Sequence, residues 1–272
     1  MDSLSTWLQL DDEIIAGKVA EQISTAVIYL NGTRRWFLTQ SKNWADYGRI
    51  AGLAHRELCQ LLYNHGLQTL IQPLLGYDIL TRGLDYLKLA VEQGLGELTQ
   101  PVYREWYHRE EIRVTFYGNW FNILTEFNFS QADELSKLAA ETSSYTRRKL
   151  LLGVFADEGL DNIVNLARRV NQGEALLAGY YGQPVGPVDL IIGSGQPVIW
   201  DLPLLNINKA NLYFLQAPTF CLNREALRQI LFDCLYQRIN DDKLYDDLTA
   251  EAWRKVEILG IGQRTEKGWI AL

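Results

Sequence analysis

Short apolar runs, rich in β-branched residues, alternate along the chain with longer stretches in which apolar positions recur at helical spacing. The short runs are typical of strands buried on both faces, as in parallel sheets, and the longer stretches are typical of helices that cover such a sheet. This alternation predicts an α/β protein with an open, six-stranded, mostly parallel sheet and helices on both faces. The predicted strands cover residues 25–30, 69–75, 112–118, 149–155, 188–192 and 211–215.

Breaker and capping residues refine this prediction. Pro73 lies within the second predicted strand, and it is unfavourable there because proline cannot donate to the hydrogen-bond ladder. Asn223 is a suitable N-cap for the last long helix. Residues 39–42 are predicted to form a loop. Helices are predicted over residues 43–64, 78–98, 157–171, 174–180 and 223–240, and a helix with a loop over 130–144.

No linker, repeat or low-complexity stretch divides the 272 residues, so the sequence predicts a single domain over 1–272. Residues 1–23 would be a lead-in containing a helix, and residues 241–272 a C-terminal extension. Apolar residues make up 47% of the chain, enough for a large core.

Charge and cysteine content exclude several classes of protein. The net charge of −7 argues against a general nucleic-acid surface. The three cysteines are odd in number and lack metal spacing, so they are expected to be buried thiols in a reducing compartment. Without a signal-peptide pattern or a run of about 18 apolar residues, no membrane span and a cytoplasmic location are expected.

The first predicted strand ends at Asn31-Gly32, a turn that opens at once onto Arg34 and Arg35. Ligands of open parallel sheets bind at the carboxyl ends of the strands. Two arginines beside turn amides at that end predict a phosphate or diphosphate site. The alternative is a turn that carries two solvated surface arginines.

The run Asn31-Gly32-Thr33-Arg34-Arg35-Trp36-Phe37 resembles the first motif of the cis-prenyltransferases. It is more similar still to the bacterial tuberculosinol/tuberculosinyl and kolavelool synthases of that fold, in which Gly-Thr-Arg-Arg-Trp-Phe recurs. The resemblance implies catalytic roles for Asn31, Arg34 and Arg35, with Gly32 and Thr33 also holding diphosphate. The chain departs from the family at Asn31, where the motif has Asp.

Two further segments continue the resemblance. Residues 45–52 carry Tyr47 after Asp46, where the related synthases have a functional tyrosine; otherwise Tyr47 would be the first core contact of its helix. Residues 76–83 follow the second strand, where the resemblance makes Asp78 a candidate magnesium ligand. Asp78 could equally be a helix N-cap. Arg82 would either join the diphosphate site or remain solvated.

Residues 187–196 resemble the last cis-prenyltransferase motif, Pro-Asp-Leu-Leu-Ile-Arg-Thr-Ser-Gly-Glu, with two informative differences. The arginine that helps to bind isopentenyl diphosphate is absent, and Gln196 stands where the motif ends in a magnesium-binding Glu. These losses argue against chain elongation. Residues 200–205 and 212–214 match the terpene-forming relatives, so the resemblance covers about residues 22–240.

The resemblance as a whole implies a diterpene synthase. Such an enzyme would ionise a C20 bicyclic allylic diphosphate of tuberculosinyl/halimadienyl or kolavenyl type, and quench the cation with water or by proton loss. Mg²⁺ as a cofactor and a homodimer are further expectations. Two alternatives stay open: a chain-elongating cis-prenyltransferase, and a non-catalytic partner subunit of that fold, which Asn31 favours.

Overall fold

The computed structural model describes residues 3–41, 43–156 and 160–237, and the backbone of 262–265 and 268–271. All six predicted strands are present and form one parallel sheet. The strands are β1 (Thr25–Ile28), β2 (Thr69–Leu75), β3 (Ile112–Tyr117), β4 (Arg148–Val154), β5 (Leu190–Ser194) and β6 (Asn211–Leu215).

The strand order is β3-β4-β2-β1-β5-β6, which places β1 in the interior of the sheet between β2 and β5. Residues alternate between the two faces. Ala26 and Ile28 belong to the larger core cluster, and Val27 and Tyr29 belong to the smaller one on the other face. Both faces are therefore covered, which confirms the predicted fold class.

Pro73 does lie in an interior strand, and the structure shows how β2 accommodates it. The pairing of β2 with β1 runs only from Thr69 to Ile71, so Pro73 lies beyond the last β1 partner. On the other side, the register against β4 shifts between Pro73 and Leu75. The bulge and the early end of β1 remove the need for an amide donor at Pro73.

The helices were predicted less completely than the strands. Asn223 caps the last helix as predicted, because its side-chain oxygen accepts from the Ala226 amide at 2.9 Å. The α-helices of the described residues are α1 (Leu4–Gln9), α2 (Asp12–Ala20), α3 (Thr33–Gln40), α4 (Tyr47–Asn64), α5 (Leu84–Leu89), α6 (Pro101–Arg109), α7 (Trp120–Glu126), α8 (Gln131–Glu141), α9 (Leu160–Ala167), α10 (Gly173–Tyr181) and α11 (Arg224–Phe232).

Two helix predictions were wrong in ways that bear on function. The turn after β1 leads directly into α3, which sequence analysis had not assigned as a helix. The single helix predicted over 78–98 is divided into a 3₁₀ helix (Tyr77–Arg82), α5, and a π-helical turn (Ala90–Leu95). Gly83, at φ +93°, causes the first break because a left-handed residue cannot continue a helix.

The remaining predictions have mixed outcomes. Cys59 is buried as expected, but Cys221 is exposed and Cys234 is only partly buried, so the prediction of three buried thiols was wrong.

Parts of three predicted segments lie outside the described residues, namely 157–159, 238–240 and most of 241–272. Within the last range, Gly262–Thr265 (β7) pairs antiparallel with Gly268–Ala271 (β8). No helix in the described ranges has the length and apolar character needed to cross a membrane.

Candidate functional site

A cavity of about 950 Å³ opens at the carboxyl ends of β1 and β2. α4 forms one wall, and the broken helical segment from Tyr77 to Leu98 forms the opposite wall. The site residues predicted from sequence all line this one cavity. They are Asn31, Gly32, Thr33, Arg34, Arg35, Tyr47, Asp78 and Arg82.

The mouth of the cavity is built on the amino end of α3. Gly32 is the N-cap, at φ +75°, and a β-carbon there would lie 3.2 Å from the Pro218 side chain. Trp36 donates its amide to the Gly32 carbonyl at 3.0 Å, which is the first hydrogen bond of the helix. The amides that precede Trp36 in the first turn of α3 have no acceptor within the helix. These amides and the positive end of the helix dipole favour an anion at this position.

Three arginines add positive charge to the same mouth. Arg34 and Arg35 are exposed in the first turn of α3, and neither forms an ion pair with a carboxylate of the described residues. Arg82 reaches the mouth from the opposite wall, where it pairs with Asp78. Two unpaired guanidinium groups beside free helix amides are suited to a diphosphate group, because each can donate two parallel hydrogen bonds to its oxygens.

Tyr86 belongs to this site although sequence analysis missed it. The Arg34 and Arg82 guanidinium carbons lie 5.6 Å and 5.3 Å from the centre of its ring. The ring therefore holds cations from both walls over its face. Its position in α5 could not be recognised while residues 78–98 were treated as one helix.

Tyr47 begins α4 and faces the same turn. Its hydroxyl is 3.0 Å from the Thr33 hydroxyl. Burial raises the pKa of the Tyr47 phenol, and the hydrogen bond with Thr33 and the charge of Arg34 offset part of that effect. The phenol is thus neutral at pH 7 and can donate a hydrogen bond next to the anion site.

Asn31 is held by the neighbouring strand. Its side-chain NH₂ group donates to the Ser194 carbonyl at 3.3 Å, and its own carbonyl accepts from the Ser194 hydroxyl at 3.2 Å and the Thr219 amide at 3.2 Å. The side-chain amide of Asn31 can therefore donate to the Ser194 carbonyl, whereas a carboxylate at this position would place an oxygen against it. Asn31 joins the end of β1 to the end of β5.

The described residues do not fit a protein-held magnesium ion. They contain no cluster of three or more His, Cys, Asp or Glu side chains. The Asp78 carboxylate is occupied by Arg82, and the amide of Asn31 is a weaker ligand than a carboxylate. Asp78 is also not a helix N-cap, since Gly76 holds that position of the 3₁₀ helix.

The inner wall depends on close contact between α4 and the π-helical turn. A β-carbon at Gly48 would lie 2.7 Å from the Gln93 carbonyl oxygen, and one at Gly52 would lie 2.5 Å from Glu97 Cγ. The Gln93 side-chain oxygen is buried, and no partner for it exists among the described residues. This side-chain oxygen is a polar group in the inner wall of the cavity.

Gly48→Ala should separate α4 from the π-helical turn, because the obstructing atom is a backbone oxygen that cannot rotate away. We expect the free energy of unfolding to fall by about 1–3 kcal/mol, as for other overpacked sites. Thermal or urea unfolding measures this change. Gly96→Ala is the matched control, since a β-carbon there would lie 3.7 Å from the Gln131 side chain, at ordinary contact distance. Equal stability of the two variants would contradict this contact.

The inner end of the cavity is a buried hydrogen-bond network. His55 Nδ1 lies 2.8 Å from the Tyr103 hydroxyl, and Nε2 lies 2.6 Å from Gln72 Oε1. Burial lowers the pKa of His55, so the imidazole is neutral at pH 7. The network fixes the end of the cavity and does not supply charge.

The last motif contributes no cation to the site. Residues 190–196 contain neither lysine nor arginine, and Ile192 is fully buried in the core. Gln196, beyond the end of β5, is exposed. Among the described residues, the cationic anion site therefore lies at α3, and the β5 motif adds no cation for a second one.

Two proteins of known activity are similar in sequence to this chain. A tuberculosinyl adenosine transferase of Mycobacterium tuberculosis is 30% identical over 223 residues, which cover 78% of this chain and 75% of that protein. A (+)-kolavelool synthase of Herpetosiphon aurantiacus is 25% identical over 263 residues, covering 90% and 88%. No protein-family model matches the chain.

Solved structures share the fold at much lower identity. A lavandulyl diphosphate synthase from Lavandula x intermedia superimposes with a TM-score of 0.60 at 13% identity, covering 78% of this chain and 95% of that one. A probable undecaprenyl diphosphate synthase from Campylobacter jejuni gives 0.57 at 14% identity, with the same coverage. The extent of the sequence identity and the shared sheet show that the chain belongs to the cis-prenyltransferase-fold family of tuberculosinyl adenosine transferase and kolavelool synthase.

Proposed function

We propose that this protein is a diterpene synthase that ionises a C20 bicyclic allylic diphosphate of tuberculosinyl or kolavenyl type. The observation that carries the proposal is the pair Arg34 and Arg35, unpaired by described carboxylates at the amino end of α3 and at the mouth of a large cavity. The names of the two curated relatives suggest the size and class of the hydrocarbon. A single domain and a homodimer remain part of this proposal.

In the proposed reaction, the protein must stabilise diphosphate as the leaving group. As the carbon–oxygen bond breaks, negative charge grows on diphosphate, and preorganised donors at that position lower the barrier. Arg34, Arg35 and the amides of the first turn of α3 would bind the departing oxygens. The neutral Tyr47 phenol could donate a further hydrogen bond there, while the cavity would hold the allylic cation away from bulk water.

In the proposed reaction, Mg²⁺ would assist the cationic groups of the protein and would not replace them. The described residues lack a built carboxylate site, so we expect the apo protein to bind Mg²⁺ weakly. When bound, Mg²⁺ would supply further positive charge to diphosphate. The arginines and helix amides would hold the anion in either case.

A panel of C15 and C20 diphosphates, with and without adenosine, tests the function. Diphosphate release and mass spectrometry of the extracted products are measured together. We expect release from a bicyclic C20 substrate and formation of a diterpene alcohol. An adenosine adduct would assign the transferase activity in the name of one relative. Absence of release from every substrate would favour the non-catalytic partner subunit.

The altered last motif predicts that the protein does not elongate prenyl chains. With isopentenyl diphosphate and any allylic primer, we expect no lengthened product, because residues 190–196 provide no cation for a second diphosphate. Incorporation of labelled isopentenyl diphosphate into extractable lipid is the measurement. A lengthened chain would establish the elongating cis-prenyltransferase instead.

A further inference from the structure

Glu97 brings a carboxyl group to the inner wall of the cavity, where the proposed ionisation gives it no role. Its side chain crosses Gly52 of α4 so closely that a β-carbon at residue 52 would lie 2.5 Å from Glu97 Cγ and 3.1 Å from Oε1. Glycine at this position allows the approach. Gly52 and Glu97 both line the cavity, so the Glu97 side chain forms part of its wall beside α4.

The Glu97 carboxyl group is available for a ligand. It has no hydrogen bond or ion pair with any of the described residues. The two arginines whose charges act on Glu97 have partners of their own: Arg49 pairs with Asp46 at 3.3 Å, and Arg56 donates to the Val102 carbonyl at 3.4 Å. Burial raises the pKa of Glu97, and the charges of Arg56 and Arg49 offset part of that effect.

Because Glu97 packs against Gly52 of α4, it lies on the hydrocarbon side of the diphosphate. Tyr47 marks the anion end through its contact with Thr33, and Gly52 lies five residues further along the helix, about 7.5 Å along the axis. The wall between them consists of Gly48 and Ala51. A substrate bound by its diphosphate would extend past these small residues toward Glu97.

We propose that Glu97 binds the water molecule that quenches the allylic cation and accepts its proton. This step rests on the proposed function. The substrate carbon–oxygen bond breaks, and its electron pair leaves with diphosphate. A lone pair of the water oxygen then forms the new carbon–oxygen bond, while an O–H bond of that water breaks and its proton passes to the Glu97 carboxylate.

The carboxylate suits water better than a nitrogen nucleophile. Water that donates a hydrogen to Glu97 turns a lone pair toward the cation and becomes acidic as it attacks. A ring nitrogen that attacks with its lone pair loses no proton in that step and needs no base. Glu97 therefore favours alcohol formation over transfer to a nucleoside.

Glu97→Gln tests this step by separating ionisation from quenching. With a bicyclic C20 diphosphate in H₂¹⁸O, we expect diphosphate release to stay within about threefold of wild type. The ¹⁸O-labelled alcohol fraction should fall by about fivefold or more, with hydrocarbon formed by proton loss in its place. Glu92→Gln, which changes an exposed carboxyl group in the preceding π-helical turn, is the control and should leave the product ratio unchanged.

Two further measurements distinguish proton transfer from a structural effect. Gly52→Ala keeps the carboxyl group but displaces it, so it should lower the alcohol fraction, whereas Gly96→Ala should not. In the wild type, the alcohol fraction should fall as acid protonates Glu97, and this dependence should be lost in Glu97→Gln.

An unchanged alcohol fraction in both Glu97→Gln and Gly52→Ala would overturn the assignment. So would an equal loss of release and of alcohol, since that result indicates a damaged cavity. Failure of the wild type to release diphosphate from any substrate would instead contradict the proposed function on which this step rests.

Discussion

Arg34→Ala and Arg35→Ala should each lower kcat/KM for diphosphate release by about 30- to 1,000-fold. The loss corresponds to about 2–4 kcal/mol of transition-state stabilisation, the usual effect of removing a preorganised donor from a developing anion. Both side chains lie in the first turn of α3, where the helix amides already favour negative charge. Steady-state release of diphosphate, measured by a coupled assay, gives the ratio directly.

The controls for this prediction separate charge, shape and general damage. Arg35→Lys keeps the charge but loses the planar donor pair, so it should fall between wild type and Arg35→Ala. Arg147→Ala removes an exposed arginine next to the amino end of β4 and should have no effect. The site lies at the opposite, carboxyl ends of the strands. Wild-type turnover in both alanine variants would remove α3 from the diphosphate site.

The strands and the outer part of the site could be predicted because their signals are local. Apolar runs mark the parallel strands, and the turn at Asn31-Gly32 falls at the end of one of them. The sheet topology then brings the residues of that turn and Tyr47 to one cavity. For the same reason, the resemblance in short motifs was enough to indicate the fold.

The inner part of the site could not be predicted because it depends on how one helical segment is broken. Gly83 and the π-helical turn Ala90–Leu95 rotate the residues that follow them relative to a continuous helix. Periodicity analysis assumes one uniform rotation per residue, so it placed neither Tyr86 nor Glu97 in the cavity. The close contact that seats Glu97 also requires Gly52, and a glycine within a helix gives no such indication from sequence.

Asn31→Asp should destabilise the apo protein and make it respond to magnesium. The Asn31 side-chain NH₂ donates to the Ser194 carbonyl at 3.3 Å, whereas an aspartate oxygen would face that carbonyl with no proton between them. Loss of the bond, with an unpaired acceptor left at a partly buried position, costs about 1–3 kcal/mol. We expect the melting temperature in chelator to fall accordingly. Asn31→Ala removes the donor without adding charge, so any additional loss in Asn31→Asp measures the repulsion.

Magnesium should restore part of this stability only in the aspartate variant. A carboxylate is a stronger ligand for Mg²⁺ than an amide, and a ligand that binds only the folded state raises its stability with concentration. Calorimetric titration into the apo proteins should therefore give weak binding for the wild type and tighter binding for Asn31→Asp. Tight binding by the wild type would show that other groups, with Asp78 the first candidate, replace the missing carboxylate, and the charge argument at Asn31 would be wrong.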